Sequence, residues 1–254
     1  MKKKKWMLIA FAVLLVLAGV VVSIFFLRKP DNTNQPPLWE TVGDEGEDSM
    51  NIYDWMEEAA KTDKGFPYEI EGSSLVIMAI KPYTGIFLED GTDTEIENVS
   101  AMLVQNRSED YIEYAKITCK YEGTEYVYEI KTLEPNAMIM VQESSGKTYT
   151  SEKFKDCSAV VAPMDGLELS RDEVKVETNS LGNIRITNVS GKDIPCVRIF
   201  YKMYLEDAAL SVGGITYVAK VTDLKEGEAR VIMPQHFSQG LSRIMMIRTY
   251  DTTE

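Results

Sequence analysis

The residues of this chain that could carry out catalysis or bind a metal are few and widely spaced. His236 is the single histidine, which excludes zinc sites that need two imidazoles. The serine-nucleophile pattern G-x-S-x-G and the phosphate-binding patterns G-x-x-x-x-G-K-[ST] and G-x-G-x-x-G do not occur. We therefore expect a non-catalytic protein without a metal or a cofactor. We expect His236 to lie in a solvent-facing loop rather than in a packed interface.

Three cysteines and two acidic clusters are the remaining candidates for chemistry. Cys119, Cys157 and Cys196 form no C-x-x-C motif, and an odd number leaves at least one thiol free. Alternation of apolar residues points Cys119 toward the core. We favour the absence of a disulfide, and the sequence leaves any pairing open. The acids of residues 89–93 and 206–207 could coordinate a cation, but solvated turns explain them better because no calcium-loop pattern is present.

Charge divides the chain into a basic leader and an acidic body. Residues 1–30 contain six Lys and Arg and no acid, whereas the remaining residues contain 21 Lys and Arg against 40 Asp and Glu. The formal charges are therefore +6 and −19. An acidic body repels nucleic acid, because phosphate binding depends on clustered Lys and Arg. Nucleic acid is thus excluded as a partner.

The leader has the composition of a membrane anchor. Residues 6–27 form an uncharged run, and a helix of that length spans roughly 33 Å, which is enough for the hydrocarbon core. The lysines of residues 1–5 precede the run and Arg28 follows Leu27, so the positive-inside rule predicts a cytoplasmic N-terminus and an extracytoplasmic body. Trp6 is placed as an interfacial anchor. A cleaved signal peptide is the alternative, but the run is long and lacks a small-x-small exit.

Between the anchor and the body, two segments differ in pattern. Residues 28–50 are rich in acids, Pro, Asn and Gly, which predicts a disordered stalk. Residues 51–61 have one apolar helical stripe that includes Ile52, Trp55 and Met56. This short amphipathic helix either docks on the adjacent domain or contacts a partner.

From residue 66 onward the apolar period becomes two. Short β-branched and aromatic runs occupy 75–80, 100–106, 113–121, 125–133 and 138–143, and turn residues separate them. Many short strands without long intervening helices predict an all-β fold of the sandwich type.

The second half of the body repeats the first. Asn106-Arg-Ser matches Asn188-Val-Ser at an offset of 82, and Gly123 matches Gly214 at an offset of 91. We therefore predict two β-sandwich domains, at 66–164 and 165–254. Nine extra residues lengthen one connection of the second copy. They form either a partner-binding loop over 203–214 or only a longer hairpin. The contact residues of such a loop would be Tyr204, Leu205, Glu206 and Asp207.

A family resemblance rests on the second copy. The run RIFYKMYLED at 198–207 and the run GGITY at 213–217 resemble FxLYD-type Ig-like modules on envelope proteins of Gram-positive bacteria. The chain is especially similar to uncharacterised membrane-anchored proteins of anaerobic Firmicutes. It lacks the F-x-L-Y-D string, and the first copy has TCKY at 118–121 instead. The resemblance implies tandem extracytoplasmic Ig-like sandwiches and assigns no site residues.

Together these features favour a membrane-anchored, non-catalytic binding or scaffold protein of the cell envelope. Its sheet edges or its 203–214 loop would contact an envelope protein or polymer. The alternative is a regulator or assembly factor of a membrane or secretion complex, acting through the anchor and the helix at 52–60.

Overall fold

The computed structural model describes residues 52–61 and 65–253, which form an all-β protein with a single helix in that part of the chain. This confirms the all-β part of the predicted fold class. Helix α1 spans Ile52–Ala59. The strands are β1 (Tyr68–Glu69), β2 (Leu75–Ile86), β3 (Glu95–Asn106), β4 (Tyr111–Tyr121), β5 (Glu125–Leu133), β6 (Met138–Gln142), β7 (Phe154–Met164), β8 (Val174–Thr178), β9 (Ile184–Asn188), β10 (Ile194–Leu205), β11 (Leu210–Leu224), β12 (Ala229–Ile232) and β13 (Ser242–Tyr250).

The predicted anchor and stalk lie outside the described residues. These predictions cover the basic tail at 1–5, the transmembrane helix at 6–27 with Trp6 and Leu27, and the stalk at 28–50 with Arg28. Within residues 52–61 and 65–253, no helix is both long enough and apolar enough to cross a membrane. The anchor therefore stays a prediction from sequence.

The two halves of the body have the same strand order. In the first half β2, β3 and β6 are neighbours in one sheet, and β5, β4 and β7 form another. In the second half β8, β9 and β12 form one sheet, and β11, β10 and β13 are neighbours in another. Each strand from β2 to β7 thus has a counterpart from β8 to β13, which is the arrangement expected of a duplicated module. We call β1 to β7 the first module and β8 to β13 the second.

A separate apolar core lies between the facing sheets of each module. In the first module Ile117 and Tyr128 meet Ile77 across the core, and all three are fully buried. In the second module Ile184 meets Ile199 in the same way. Burial of one such side chain stabilises the fold by about 1.5–3 kcal/mol. The apolar residues of the period-two pattern therefore face the two cores, as the sequence predicted.

The repeated Asn-x-Ser turns tie the strand ends together. Asn106 Nδ2 donates to the carbonyl of Asp110 at 2.9 Å and to that of Glu134 at 3.1 Å. Asn188 Nδ2 donates to the carbonyl four residues further on at 2.7 Å and to that of Lys225 at 3.1 Å. Both asparagines are buried, and each satisfies backbone acceptors that would otherwise lack a donor. The turns thus have the same geometry in both modules.

The nine-residue insertion joins the modules. It forms a longer β10–β11 hairpin, and the start of β11 pairs in parallel with β6 of the first module, with Leu210 opposite Met138 and Val212 opposite Met140. This pairing merges two sheets into one of seven strands, in the order β1-β2-β3-β6-β11-β10-β13. The interpretation as a longer hairpin is therefore the one the structure shows.

Helix α1 covers the outer face of the merged sheet where the modules meet. Its apolar stripe buries Ile52 (3% exposed) and Trp55 (0%), and Met56 is half-buried. These side chains pack with Ala79 of β2 and Leu210 of β11. The helix therefore docks on its own body, so its stripe is not an exposed contact surface in this structure.

Candidate functional site

The predicted contact residues 204–207 lie together at the tip of the β10–β11 hairpin. Leu205 is fully buried beneath helix α1. Asp207 is exposed and accepts a hydrogen bond from the Tyr53 hydroxyl at 3.2 Å. These two residues hold the hairpin to the helix within the chain.

Tyr204 and Glu206 line a groove of about 480 Å³ at this end of the second module. The Arg243 guanidinium lies 5.0 Å from the centre of the Tyr204 ring. Glu206 is exposed. Of the four predicted contact residues, Tyr204 and Glu206 are thus the ones that line the groove, and Asp207 is exposed beside the helix.

The expectation of no disulfide was wrong. Cys119 and Cys157 are bonded across β4 and β7, where they are directly opposite each other with Cα atoms 4.1 Å apart. Cys119 points into the core, as the alternation predicted, and Cys196 is a buried free thiol. The pairing depends on which strands are neighbours, so the sequence alone could not decide it.

Glu89 bridges the two modules at the point where β6 and β11 separate. Its Oε1 accepts the N–H of Gln142 at 2.8 Å, and its Oε2 accepts the N–H of Gly214 at 2.8 Å. Gln142 and Gly214 lie two positions beyond Met140 and Val212, the last pair of the parallel ladder. The Glu89 carboxylate therefore accepts the two N–H groups that have no backbone acceptor once the strands separate. Glu89 belongs to an acidic cluster that we expected to be solvated, and for this residue that expectation was wrong.

Lys202 satisfies the carbonyl groups of the same region. Its Nζ donates to the carbonyls of Lys131 on β5, Gly214 and Ile215, at 2.8, 3.1 and 2.7 Å. Three acceptors around one nitrogen require three N–H donors, which only the ammonium form has. The side chain is fully buried. We call the β6–β11 pairing, together with Glu89, Lys202 and Gly214, the module joint.

The two copies of the module use the same lysine differently. Lys120 of β4 is the counterpart of Lys202, yet it is exposed. The β4–β5 register stays regular as far as Lys120, whereas the β10–β11 register shifts between Tyr201 and Met203, at Lys202 itself. At this irregularity the carbonyls of Gly214 and Ile215 accept from Lys202, and Lys131 of the first module provides the third acceptor.

Burial opposes the charges of Glu89 and Lys202. Removal from water raises the pKa of Glu89 to about 7, against the lowering effects of its two backbone N–H donors and of Lys202. Removal from water lowers the pKa of Lys202 to about 7, and the attraction of Glu89 opposes that change. Each charge therefore supports the other, and the loss of either leaves a buried ion with less compensation.

Gly214 permits a backbone contact that no other residue type would allow. A Cβ atom built on it would lie 1.8 Å from the carbonyl oxygen of Glu129 on β5. Its counterpart Gly123 would place a Cβ near only the flexible, exposed carboxylate of Glu152. At the GGITY run the backbones of β11 and β5 therefore approach each other closely.

We expect Gly214→Ala to lower the free energy of unfolding by about 3 kcal/mol, because the strands of the joint must move apart. The matched substitution Gly123→Ala should change it by less than about 0.5 kcal/mol, as is usual for surface sites. Urea unfolding followed by circular dichroism measures both values. Equal effects of the two substitutions would show that the close approach at Gly214 does not constrain the joint.

His236 is packed at the joint, so the expectation of a solvent-facing side chain was wrong. Its side chain is 9% exposed, and its Nε2 lies 2.8 Å from Asp93 Oδ2. Its ring stacks on Tyr217 with the ring centres 4.7 Å apart. Asp93 follows β2 and Tyr217 lies on β11, so His236 adds a further contact between the modules.

A second groove, of about 670 Å³, lies between β8 and β13 of the second module, and its lining also includes Leu167, Leu169 and Arg171 of the connection before β8 and Tyr111 and Glu134 of the first module. Its walls combine apolar side chains from both strands with charged ones, and Arg243 pairs there with Glu134 at 2.9 Å. We call it the edge groove. Its lining includes Val174, Lys175, Val176, Arg243, Ile244 and Ile247.

No protein-family model matches this chain, and no curated protein is similar to it in sequence. Within residues 52–61 and 65–253, no group of three or more His, Cys, Asp or Glu side chains is placed to hold a metal ion. The candidate functional surfaces of the described body are thus the two grooves of the second module, and the module joint fixes their position relative to the first module.

Proposed function

We propose that this protein is a membrane-anchored, extracytoplasmic scaffold or binding protein of the cell envelope, without catalytic activity and with two Ig-like modules. The observation that carries this proposal is the module joint. A shared seven-stranded sheet, a docked helix and buried charges join the modules, so the body is a rigid unit. Modules on a flexible linker would move independently. A rigid unit presents its surfaces at a fixed spacing, as a scaffold requires.

The disulfide supports an extracytoplasmic location for the body. Disulfides form and persist in oxidising compartments and are rare in the reducing cytosol. The Cys119–Cys157 bond lies within the first module, which belongs to the acidic part of the chain that follows residue 30. Its presence agrees with the orientation that the charges around residues 6–27 predict.

The alternative of a regulator acting through the helix has less support. Ile52 and Trp55 would be its contact residues, but both are buried against the body. A partner that used them would first have to displace the helix from the merged sheet. A partner can contact the grooves of the second module without displacing the helix, because no residue of helix α1 lines them.

Labelling of introduced cysteines in intact cells tests the location. Leu181 is 80% exposed, so we expect a membrane-impermeant maleimide to label Leu181→Cys in cells that make the full chain. Lys3→Cys should be labelled only after permeabilisation. The native protein is a matched control, because its cysteines are bonded or buried. Labelling of Leu181→Cys only after lysis would contradict the proposed location.

Crosslinking in the same cells tests the binding role. An impermeant amine-reactive crosslinker should join exposed lysines of the body, such as Lys120, to other envelope components. Mass spectrometry of the purified adducts identifies them. If only the free protein is recovered while Leu181→Cys is labelled from outside, the location holds and the binding role fails.

A further inference from the structure

The first module shows what can occupy the side of such a sandwich. Strand β1 pairs with the outer edge of β2, with Tyr68 opposite Ile77. The rings of Phe66 and Tyr68 pack on Phe154 of β7, with centres 5.4 and 5.0 Å apart. The Tyr68 hydroxyl donates to Asp156 at 2.7 Å. An extended segment with two aromatic side chains thus closes this side.

The strand registers show which residues of the second module correspond to these. Leu75 is opposite Asn106 in the first module, and Val174 is opposite Asn188 in the second. Two positions further along, Ile77 therefore corresponds to Val176, and Val76 to Lys175. On the facing strand, Asp156 is opposite Lys120, and Arg243 is opposite Lys202, so Arg243 corresponds to Asp156.

On the corresponding side of the second module, the connection before β8 lines the groove through Leu167, Leu169 and Arg171 and does not pair with β8. Among the described residues, no strand pairs with the outer edge of β8. The connection that precedes β8 turns to the other strand instead, because the Ile247 N–H donates to the Glu168 carbonyl at 2.8 Å. The positions that hold β1 in the first module line the edge groove in the second, as Lys175, Val176 and Arg243 do.

We propose that the edge groove binds an extended segment of a partner protein, which pairs with β8 as β1 pairs with β2. The segment carries an aromatic residue and, two positions later, a carboxylate. This inference rests on the proposed binding function and names the site and the chemistry of the partner.

The lining of the groove determines this chemistry. Val176, Ile244 and Ile247 present apolar surface to an aromatic side chain. A ligand residue that takes the place of Tyr68 faces Arg243, because Arg243 corresponds to Asp156. A carboxylate accepts a charge-assisted hydrogen bond from the guanidinium, which is stronger than the bond that a neutral hydroxyl oxygen accepts. Arg243 is 45% exposed beside Glu134, so its remaining donors are accessible to a ligand.

The test measures peptide binding to the full-length protein in detergent. The probe is a fluorescein-labelled peptide with the sequence of residues 65–70, GFPYEI, carrying Tyr68→Glu. We expect it to bind at least about tenfold more tightly than the same peptide with Tyr68→Lys, which corresponds to one charge-assisted hydrogen bond. Fluorescence anisotropy measures both affinities. Hydrogen exchange should show protection of the backbone of β8 when the probe is bound.

Variants of the protein locate the site. Arg243→Glu should weaken binding of the probe at least about tenfold. The matched control Arg185→Glu changes an exposed arginine on the neighbouring strand β9 that does not line the groove, and it should leave the affinity unchanged. A circular dichroism melt of both variants verifies that they fold.

Three results would overturn the proposal. The first is equal binding of the glutamate and lysine probes, or binding that Arg243→Glu does not affect. The second is a concentration-dependent dimer in analytical ultracentrifugation that the probe dissociates, which would make a second copy the occupant. The third is tighter probe binding after Trp39→Ala, which would assign the groove to the protein's own stalk. None of these results changes the labelling or crosslinking outcome, so the proposed function is tested separately.

Discussion

Lys202→Met is expected to lower the free energy of unfolding by about 4 kcal/mol, the largest effect of a single substitution in this protein. The variant loses three hydrogen bonds from a buried ammonium group to carbonyls of both modules. It also leaves Glu89 buried without the cation that favours its ionised form. Urea unfolding at pH 7 measures the change.

The counterpart lysine provides the matched control. Lys120→Met removes the same side chain from the corresponding position of the first module, where it is exposed. Its effect should remain within about 0.5 kcal/mol. Similar losses for Lys120→Met and Lys202→Met would contradict the assignment of Lys202 to the joint.

The loss caused by Lys202→Met should grow as the pH rises above 7. Burial raises the pKa of Glu89 to about 7 in the folded state, so the folded chain holds a proton that the unfolded chain has already released. The free energy of unfolding therefore falls as the pH rises from the ordinary pKa of a glutamate to the raised pKa of Glu89. Without Lys202 the pKa of Glu89 in the folded state is higher still, so this fall continues to a higher pH. The stability of the variant itself falls by at most about 1.4 kcal/mol per pH unit, because one group titrates.

The native protein has the opposite trend above pH 7, because burial lowers the pKa of Lys202 to about 7. Its folded state then releases a proton that the unfolded state keeps, and stability rises with pH. Unfolding curves at pH 7, 8 and 9 compare the two proteins. The double variant Glu89→Gln with Lys202→Met has neither group and should show no such slope from the joint. A pH-independent difference between the native protein and Lys202→Met would contradict the coupling.

Removal of the disulfide is expected to have an effect of similar size. Replacement of Cys119 and Cys157 by alanine frees a loop with a sequence separation of 38 residues in the unfolded chain. The entropy of that loop corresponds to about 4 kcal/mol. The bond joins β4 to β7 inside the first core, so this module should lose most of the stability.

A reducing agent provides the comparison. It should lower the urea midpoint of the native protein and leave that of the double alanine variant unchanged. Cys196→Ala, which removes the buried free thiol, should cost about 1 kcal/mol and keep the sensitivity to the reducing agent. A native midpoint that does not respond to a reducing agent would show that the bond contributes nothing to stability.

Local patterns predicted much of the fold. The alternating runs at 75–80 and 125–133 became β2 and β5, and the Asn106 and Asn188 turns formed the predicted backbone bonds. These features depend on neighbours a few residues away. The stripe of residues 51–61 likewise predicted a helix, and the structure has it at Ile52–Ala59.

The module joint and the edge groove could not be predicted in the same way. Lys120 and Lys202 have the same place in the repeat, and only the second is buried against the other module, where it bonds to the Lys131 carbonyl. The partner of Cys119 depends on β4 and β7 being neighbours. The edge groove follows from the absence of a strand beside β8 among the described residues. The nine-residue insertion was the one sequence feature that indicated the joint. It shows that the two copies differ, but it does not show which strand the added residues pair with.

The parallel pairing of β6 with β11 has a consequence for biosynthesis. Met138 emerges from the ribosome about 70 residues before its partner Leu210, and strand edges exposed during that interval can pair with other chains. The edge of β6 is therefore unpaired until the β10–β11 hairpin has been synthesised, and until then helix α1 lacks its contacts with the cluster that includes Leu205, Leu210 and Val212. A nascent chain of this protein completes its first half only when its second half is nearly finished.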